Sequence, residues 1–82
     1  MSYKVYILEC ADKTLYTGIA MNVEKRLIEH NTSEKGAKYT RVRRPVKLVY
    51  MEDAKDRSTA CKREYAIKQL SRAQKLELID KK

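Results

Sequence analysis

Residues 15–31 read LYTGIAMNVEKRLIEHN. The opening LYTG has the aromatic, β-branched and glycine composition of a short strand that is about to end. Asn22 then suits a helix N-cap, and residues 23–31 have helical character. Arg26 and His30 lie four residues apart on that helix, so they occupy neighbouring positions along it. This stretch therefore predicts a strand that turns directly into a helix carrying an arginine and a histidine.

The rest of the chain extends this pattern into an α+β domain. A small, mainly antiparallel three-stranded sheet flanked by helices, in the order β-β-α-β-α-α, is expected to form one domain over residues 1–82. The predicted strands are residues 3–10, 14–19 and 46–53, and a turn at 11–13 makes the first two a hairpin. A second helix is expected from Asp56 or Ser58 to about Leu70, followed by a capping box at 71–74 and a last helix to about Asp80. Both alternating faces of the third strand, VKLVYMED, are largely apolar, which favours a central position in the sheet.

The charge balance indicates a polyanionic partner. Nineteen lysines and arginines face eleven acidic residues, for a formal net charge of +8, and a positive field of this size favours nucleic acid. Residues 35–47 concentrate the charge and contain no acidic residue. We expect this stretch to be an ordered loop that grips phosphates without reading sequence. Its candidate nucleic-acid-binding residues are Lys35, Lys38, Tyr39, Arg41, Arg43 and Arg44.

Composition also bounds location and assembly. No apolar run approaches the roughly 20 residues of a membrane span, and the N-terminus lacks a signal peptide, so we expect a cytoplasmic protein with no membrane partner. Nothing in the sequence indicates an obligate protein partner, and a monomer is expected. The two cysteines, Cys10 and Cys61, are too few for a disulfide framework or a thiolate metal site, and both are expected to be reduced and half-buried.

Two tyrosines on the predicted hairpin are expected to converge. Tyrosine supplies six residues while phenylalanine and tryptophan are absent. With a turn of three or five residues, Tyr6 and Tyr16 fall on the same face of the sheet in diagonal positions. They would meet near Gly18, where the missing side chain leaves room. The alternative is that both are ordinary half-buried strand aromatics.

Glu64 is the carboxylate that stands out. On the second long helix it falls inside the apolar arc that contains Ala60 and Ile67, where burying an unpaired charge is costly. One interpretation is a structural ion pair with a buried arginine or lysine. The other is a carboxylate at the rim of a cleft that holds a divalent cation, since Mg²⁺ commonly uses only one or two protein carboxylates.

These positions together resemble the GIY-YIG nuclease superfamily, and in particular its small stand-alone members. KVY at residues 4–6 and YTG at 16–18 resemble the two halves of the motif. Arg26 follows Tyr16 by ten residues, RLIEHN resembles the arginine–histidine helix, and Glu64 matches the family's glutamate. The resemblance extends to GAKYTR at 36–41 and to the helical tail at 66–79. Lys4 replaces the first glycine of the motif and Thr17 replaces its usual aliphatic residue.

The resemblance implies a divalent-metal-dependent endonuclease-like domain that hydrolyses phosphodiester bonds of DNA, branched or single-stranded, with RNA as the other substrate. It implies the catalytic residues Tyr6, Tyr16, Arg26, His30 and Glu64. One Mg²⁺ or Mn²⁺ ion would be held by Glu64, and Arg26 would grip the phosphate. Tyr16 or His30 would act on the attacking water. The alternative function is a non-catalytic nucleic-acid-binding module of the same fold.

Overall fold

The structure is a computed structural model that describes residues 2–32 and 38–81, with side chains in the second range described from Thr40 onward. The elements are β1 (Tyr3–Glu9), β2 (Leu15–Ala20), α1 (Val23–Thr32), α2 (Lys38–Arg41), β3 (Lys47–Ala54), α3 (Arg57–Lys68) and α4 (Arg72–Asp80). The α+β class and the order β-β-α-β-α-α are confirmed. The four-residue helix α2 is an addition, because the basic stretch was expected to be a loop. Lys35 lies outside the described residues, as do the side chains of Lys38 and Tyr39.

The β1–β2 hairpin sets the register on which the site depends. Its turn spans three residues, as predicted, and Lys13 adopts a positive φ of 71° there. The Cys10 N–H donates to the Thr14 carbonyl at 2.9 Å, which closes the turn. Tyr6 therefore pairs with Gly18, and Leu8 pairs with Tyr16. Because side chains alternate along a strand, the two tyrosines share one face in diagonal positions, and this prediction is confirmed.

The sheet order is β2-β1-β3, with antiparallel pairing throughout. The prediction that the third strand is central was wrong, since β1 is central and β3 is an edge strand. The pairing of β1 with β3 shifts between Ile7, opposite Tyr50, and Leu8, opposite Leu48. The extra residue of this β-bulge is Val49, which breaks the strict alternation along β3. Both faces of β3 are apolar because helices cover both faces of this edge strand.

The two faces of the sheet carry separate cores. On one face, Val5 and Ile7 of β1 pack with Ala60 and Ile67 of α3. The other face carries Tyr6, Leu8 and Cys10, which pack with Val23 at the start of α1, together with half-buried Tyr16 and Leu27. Helices α1 and α3 therefore cover opposite faces, and the tyrosine pair lies on the α1 face.

Side-chain hydrogen bonds cap the N-termini of the helices at the residues predicted from the sequence. The side chains of Asn22 and Asp56 accept from the backbone N–H groups of Lys25 and Thr59 at 3.0 and 2.8 Å. Ser71 and Gln74 form the predicted capping box at the start of α4. Within the described part of the chain, no helix combines the length and apolar character that a membrane crossing requires.

The Asn31 amide joins the end of α1 to the segment that enters β3. Its Oδ1 accepts from the Val46 N–H at 2.8 Å, and its Nδ2 donates to the Val46 carbonyl at 3.0 Å. One side chain thus satisfies both backbone polar groups of a buried residue.

The cysteine prediction was half right. Both are free thiols, but Cys10 is buried and Cys61 is exposed, so neither is half-buried. Cys10 follows the central strand on the α1 face, whereas Cys61 lies on the outward side of α3.

Two buried threonines differ in their hydrogen bonding, which gives a stability prediction. Thr17 is 3% exposed, and its hydroxyl has no hydrogen-bond partner among the described residues. Thr40 is fully buried, but its hydroxyl bonds His30 at 2.7 Å. Valine has nearly the same shape as threonine, so Thr17→Val removes only an unpartnered polar group and is expected to raise the free energy of unfolding by about 1 kcal/mol. Thr40→Val is the matched control and is expected to lower it by about 1–2 kcal/mol.

Urea denaturation of both variants measures these changes. A destabilised Thr17→Val variant would contradict the first prediction, because it would mean that the hydroxyl has a favourable partner in solution.

Candidate active site

The tyrosine pair is built around Gly18. The ring centroids of Tyr6 and Tyr16 lie 6.5 Å apart, with their planes tilted by 43°. A Cβ atom placed on Gly18 would lie 2.7 Å from the Tyr6 hydroxyl and 3.2 Å from ring carbon Cε2 of Tyr16. No other residue fits there without moving the Tyr6 phenol, because the Tyr6 ring is itself buried and has little room to shift. The glycine is thus required by close packing of the two phenols, as the sequence predicts.

His30 connects the tyrosine pair to the helical layer. It is fully buried, and its ring lies edge-on to Tyr16 with centroids 5.1 Å apart. Its Nε2 is 3.0 Å from the Tyr6 hydroxyl, and its Nδ1 is 2.7 Å from the Thr40 hydroxyl. Both ring nitrogens are therefore occupied by side chains from two other elements, β1 and α2.

His30 is neutral at physiological pH. Burial, together with the positive charge of Arg26, lowers the pKa of His30 to about 4. A neutral imidazole has one donor and one acceptor nitrogen. The Tyr6 oxygen also accepts a hydrogen bond from Arg26, so the network is satisfied when the Tyr6 O–H donates to Nε2 and Nδ1–H donates to Thr40. In this assignment each ring nitrogen of His30 has a partner of the complementary hydrogen-bonding type. The assignment makes His30 a poor base for a water molecule, because its acceptor nitrogen already holds Tyr6.

Tyr6 is held in its protonated form. Burial raises the pKa of Tyr6 to about 12, and the neighbouring Tyr16 adds to the increase. At neutral pH the Tyr6 hydroxyl is consequently a donor to His30 and an acceptor from Arg26. Tyr16 is more exposed than Tyr6. Of the two phenols, Tyr16 is the one accessible to a water molecule.

Arg26 presents a permanent positive charge beside the phenols. Burial lowers the pKa of Arg26, but its hydrogen bonds to Glu29 and Tyr6 outweigh that effect and leave the pKa raised. Its Nη1 lies 3.1 Å from Oε1 of Glu29, and both side chains are partly buried. A phosphate entering the site would compete with the Glu29 carboxylate for this guanidinium.

Glu64 belongs to the layer of the fold opposite α1. It lies on α3, whose residues Ala60 and Ile67 pack on the face opposite α1. Its side chain is 23% exposed and forms an ion pair with Lys68 at 3.4 Å. The Glu64 charge helps to raise the pKa of Tyr6, so the carboxylate is within electrostatic range of that phenol. Four predicted residues thus form one network of ring contacts and hydrogen bonds, and Glu64 is linked to it electrostatically.

The ion pair predicted as the alternative for Glu64 takes a different form. Its partner Lys68 is about half exposed rather than buried, and Arg26 pairs instead with Glu29. Among residues 2–32 and 38–81, no group of three or more histidine, cysteine or acidic side chains comes together as a metal site. Glu64 is a partly exposed carboxylate whose ion-pair partner, Lys68, is about half exposed. Such a carboxylate fits a Mg²⁺ ion that completes its coordination shell with water and substrate oxygens.

Two of the basic residues predicted to bind phosphates make contacts within the protein. Arg43 forms an ion pair with Asp12 of the hairpin turn at 3.0 Å. Arg44 donates from Nε to the His30 carbonyl at 2.5 Å and from Nη2 to the Glu29 carbonyl at 3.4 Å. A cation at these carbonyls is favourable, because they lie near the C-terminal end of α1. Arg41 is exposed, whereas Arg43 and Arg44 are partly buried, so Arg41 is the most accessible of the predicted residues with described side chains.

Sequence reasoning missed Thr40 and Glu29. Thr40 is ten residues from His30 and belongs to a separate short helix, so no local pattern points to their contact. Glu29 follows Arg26 by three residues on α1, and that spacing is a recognised sequence signal for an ion pair.

The buried, neutral state of His30 gives a pH prediction. Above pH 6.5 His30 is neutral in both the folded and unfolded states. Between about pH 6.5 and pH 4 the unfolded chain binds a proton that the folded protein does not, so the free energy of unfolding falls as the pH falls. Below about pH 4 this contribution to the slope ends. His30 is the chain's only histidine, so His30→Gln is expected to flatten the slope in that window.

Denaturation at a series of pH values measures the slope for both proteins. The carboxylates titrate in both and cancel in the comparison. Equal slopes for the wild type and His30→Gln would show that His30 is not held neutral by the fold.

Comparisons with known proteins identify the family of the chain. Residues 2–77 match the family described as the GIY-YIG catalytic domain. A UPF0213 protein of Desulfotalea psychrophila is 64% identical over 92% of this chain and 68% of its own length, and one of Syntrophus aciditrophicus is 63% identical over 92% and 86%.

Two solved structures of similar sequence have a similar fold. The solution NMR structure of a UPF0213 protein from Bacillus halodurans superposes with a TM-score of 0.64 at 44% identity, covering all of this chain and 86% of that one. A protein from E. faecalis has a TM-score of 0.67 at 42% identity, with 99% and 85% covered. The family consists generally of nucleases that use a divalent metal. The chain belongs to the GIY-YIG domain family.

Proposed function

We propose that this protein is a divalent-metal-dependent endonuclease that hydrolyses phosphodiester bonds of DNA. The substrate is branched or single-stranded DNA, with RNA as the alternative substrate. The observation that carries the proposal is the network in which the buried Tyr6 hydroxyl joins His30 and Arg26 beside the more exposed Tyr16. Phosphodiester hydrolysis requires a positioned water and a fixed positive charge at the phosphate, and this network supplies groups for both.

Arg26 binds the scissile phosphate. Its guanidinium is charged at any working pH and offers paired donors that match phosphate oxygens. Tyr6 accepts a hydrogen bond from Arg26 and, with Glu29, fixes its direction. His30 in turn holds the Tyr6 hydroxyl, and Thr40 holds His30. The buried residues are therefore positioning residues for the arginine.

Tyr16 orients or deprotonates the attacking water. It belongs to the edge strand, packs against the His30 ring and is the more exposed phenol of the pair. The water oxygen attacks phosphorus and gives up its proton, to Tyr16 in its phenolate form or to solvent. The bond to the leaving oxygen breaks, and the leaving oxygen takes a proton from solvent. Mg²⁺ or Mn²⁺ held by Glu64 would supply Lewis-acid stabilisation of the phosphate and of the leaving oxygen.

A non-catalytic nucleic-acid-binding module is the second candidate. Its support is the burial of Tyr6 and His30 and the existing pairing of Arg26 with Glu29, which a purely structural cluster would also show. Cleavage of a panel of linear, single-stranded, flap and branched DNA and RNA, with and without Mg²⁺ or Mn²⁺, separates the two candidates. Metal-dependent cleavage supports the enzyme, and binding to the whole panel without cleavage supports the module.

Substitution of the two charged residues tests the assignment. Glu64→Gln is expected to abolish cleavage and leave nucleic-acid binding intact, because it keeps the shape and removes the charge. Arg26→Ala is expected to lose both cleavage, by 100-fold or more (roughly 3 kcal/mol of transition-state stabilisation), and part of the binding. Glu24→Gln is the matched control, since Glu24 is an exposed carboxylate on α1 and its loss should change neither.

Thermal melts of the same variants keep the result interpretable. Folded Glu64→Gln and Arg26→Ala variants that still cleave would contradict the assignment. Unfolding of Arg26→Ala alone would identify its pair with Glu29 as a structural contact.

The basic segment gives a paired prediction. Arg41→Ala is expected to weaken binding to all sequences alike and to reduce the salt dependence of binding by about one phosphate contact. Arg44→Ala is expected chiefly to lower thermal stability, because its guanidinium bonds two carbonyls of α1. Binding isotherms at several salt concentrations, read beside thermal melts, distinguish these effects. Equal loss of salt dependence in both variants would show that Arg44 also reaches phosphates.

A further inference from the structure

The outward side of α3 carries an exposed aromatic ring. Tyr65 is 67% exposed, on the side of the helix away from buried Ala60 and Ile67. Among the five tyrosines whose side chains are described, the other four are buried or half-buried, and Tyr65 alone is exposed. A ring left in water on the surface of a small domain is available to a flat partner.

Lysines flank this ring along the helix. Lys62 and Lys68 lie three residues before and after Tyr65, a spacing that puts them on the same side of the helix. Both lysines are exposed, as is Arg72 at the start of α4. The only carboxylate of α3 is Glu64, whose side chain is 23% exposed and ion-paired with Lys68. The charged side chains of α3 that are exposed, Arg57, Lys62 and Lys68, are all positive.

A ring between cations matches the chemistry of unpaired nucleic acid. Each base of a single strand offers a face for stacking, and the flanking phosphates offer negative charge within reach of lysines. A duplex hides its base faces inside the helix, so it can use the cations but not the ring. Tyr65 also follows Glu64 directly, so a strand lying on this surface would pass beside the carboxylate assigned to the metal.

We propose that Lys62, Tyr65 and Lys68, here called the α3 strip, bind single-stranded nucleic acid, with Tyr65 stacked on an unpaired base. The cations contact the neighbouring phosphates. The strip deepens the proposed function, on which it rests for the nature of the polyanion, because it selects unpaired segments of the substrate and leads them to Glu64.

Binding in the absence of metal tests the strip without requiring cleavage. Fluorescence anisotropy with a labelled single-stranded oligonucleotide and with its duplex, both in EDTA, compares the wild type with Tyr65→Ala, Tyr65→Phe and Ile28→Ala. Ile28 is the matched control because it is a similarly exposed apolar side chain, at 62%, on α1. Tyr65→Ala is expected to weaken single-strand binding about fivefold or more and to leave duplex binding unchanged. Tyr65→Phe keeps the ring and should retain the wild-type affinity.

Salt dependence separates the ring from the cations. Lys62→Ala should reduce the salt slope by about one phosphate contact, whereas Tyr65→Ala should leave the slope unchanged. A Tyr65→Ala variant that binds single strands as tightly as Ile28→Ala would overturn the proposal, as would equal losses on single strand and duplex.

The outcomes also separate the strip from the catalytic proposal. An intact strip in a protein that cleaves nothing would reject only the nuclease. A cleaving protein indifferent to Tyr65 would reject only the strip.

Discussion

The hydroxyl of Tyr6 is the contact on which the rest of the site depends. It belongs to the central strand, bonds His30 of α1 and accepts from Arg26 one turn earlier on the same helix. Through His30 the network continues to Thr40 of α2. Since Tyr6, His30 and Thr40 are at most 2% exposed, their polar groups must find partners inside the protein. The absence of a side chain at Gly18 provides the space for the phenol, so one glycine supports contacts among three elements.

The two-faced sheet explains how the site combines rigidity with access. One face is closed by α3 and α4 over an apolar core, and the other holds the hydrogen-bonded network beneath α1. Burial keeps His30 neutral and Tyr6 protonated, so the interior of the network does not change charge near neutral pH. Tyr16 on β2, Arg26 on α1 and Glu64 on α3 are only partly buried, and these are the groups to which the proposed function assigns the chemistry.

Much of this arrangement could be predicted from sequence because it is local. The period of two along a strand and a three-residue turn fix Tyr6 and Tyr16 on one face, and capping residues fix the helix starts. The central position expected for β3 was wrong because an edge strand covered by helices on both faces has the same apolar pattern as a central strand. The neutral state of His30 could not be predicted because it depends on burial of the ring in the folded protein. The hydrogen bonds of Arg44 could not be predicted because they depend on where the last carbonyls of α1 lie. These contacts join residues far apart in the sequence. Composition alone does not distinguish an arginine bonded to backbone carbonyls from one that is free on the surface.

The central proposal is that Glu64 on α3 holds the metal ion, within electrostatic range of Tyr6. Paramagnetic broadening by Mn²⁺ locates such an ion directly, measured on isotopically labelled protein with a single-stranded phosphorothioate oligonucleotide that resists cleavage. The account predicts that the strongest broadening centres on Glu64 and Tyr16, extends to Tyr6 and Arg26, and is lost in Glu64→Gln. Broadening centred on Glu77 and Asp80 of α4, and unchanged in Glu64→Gln, would contradict it.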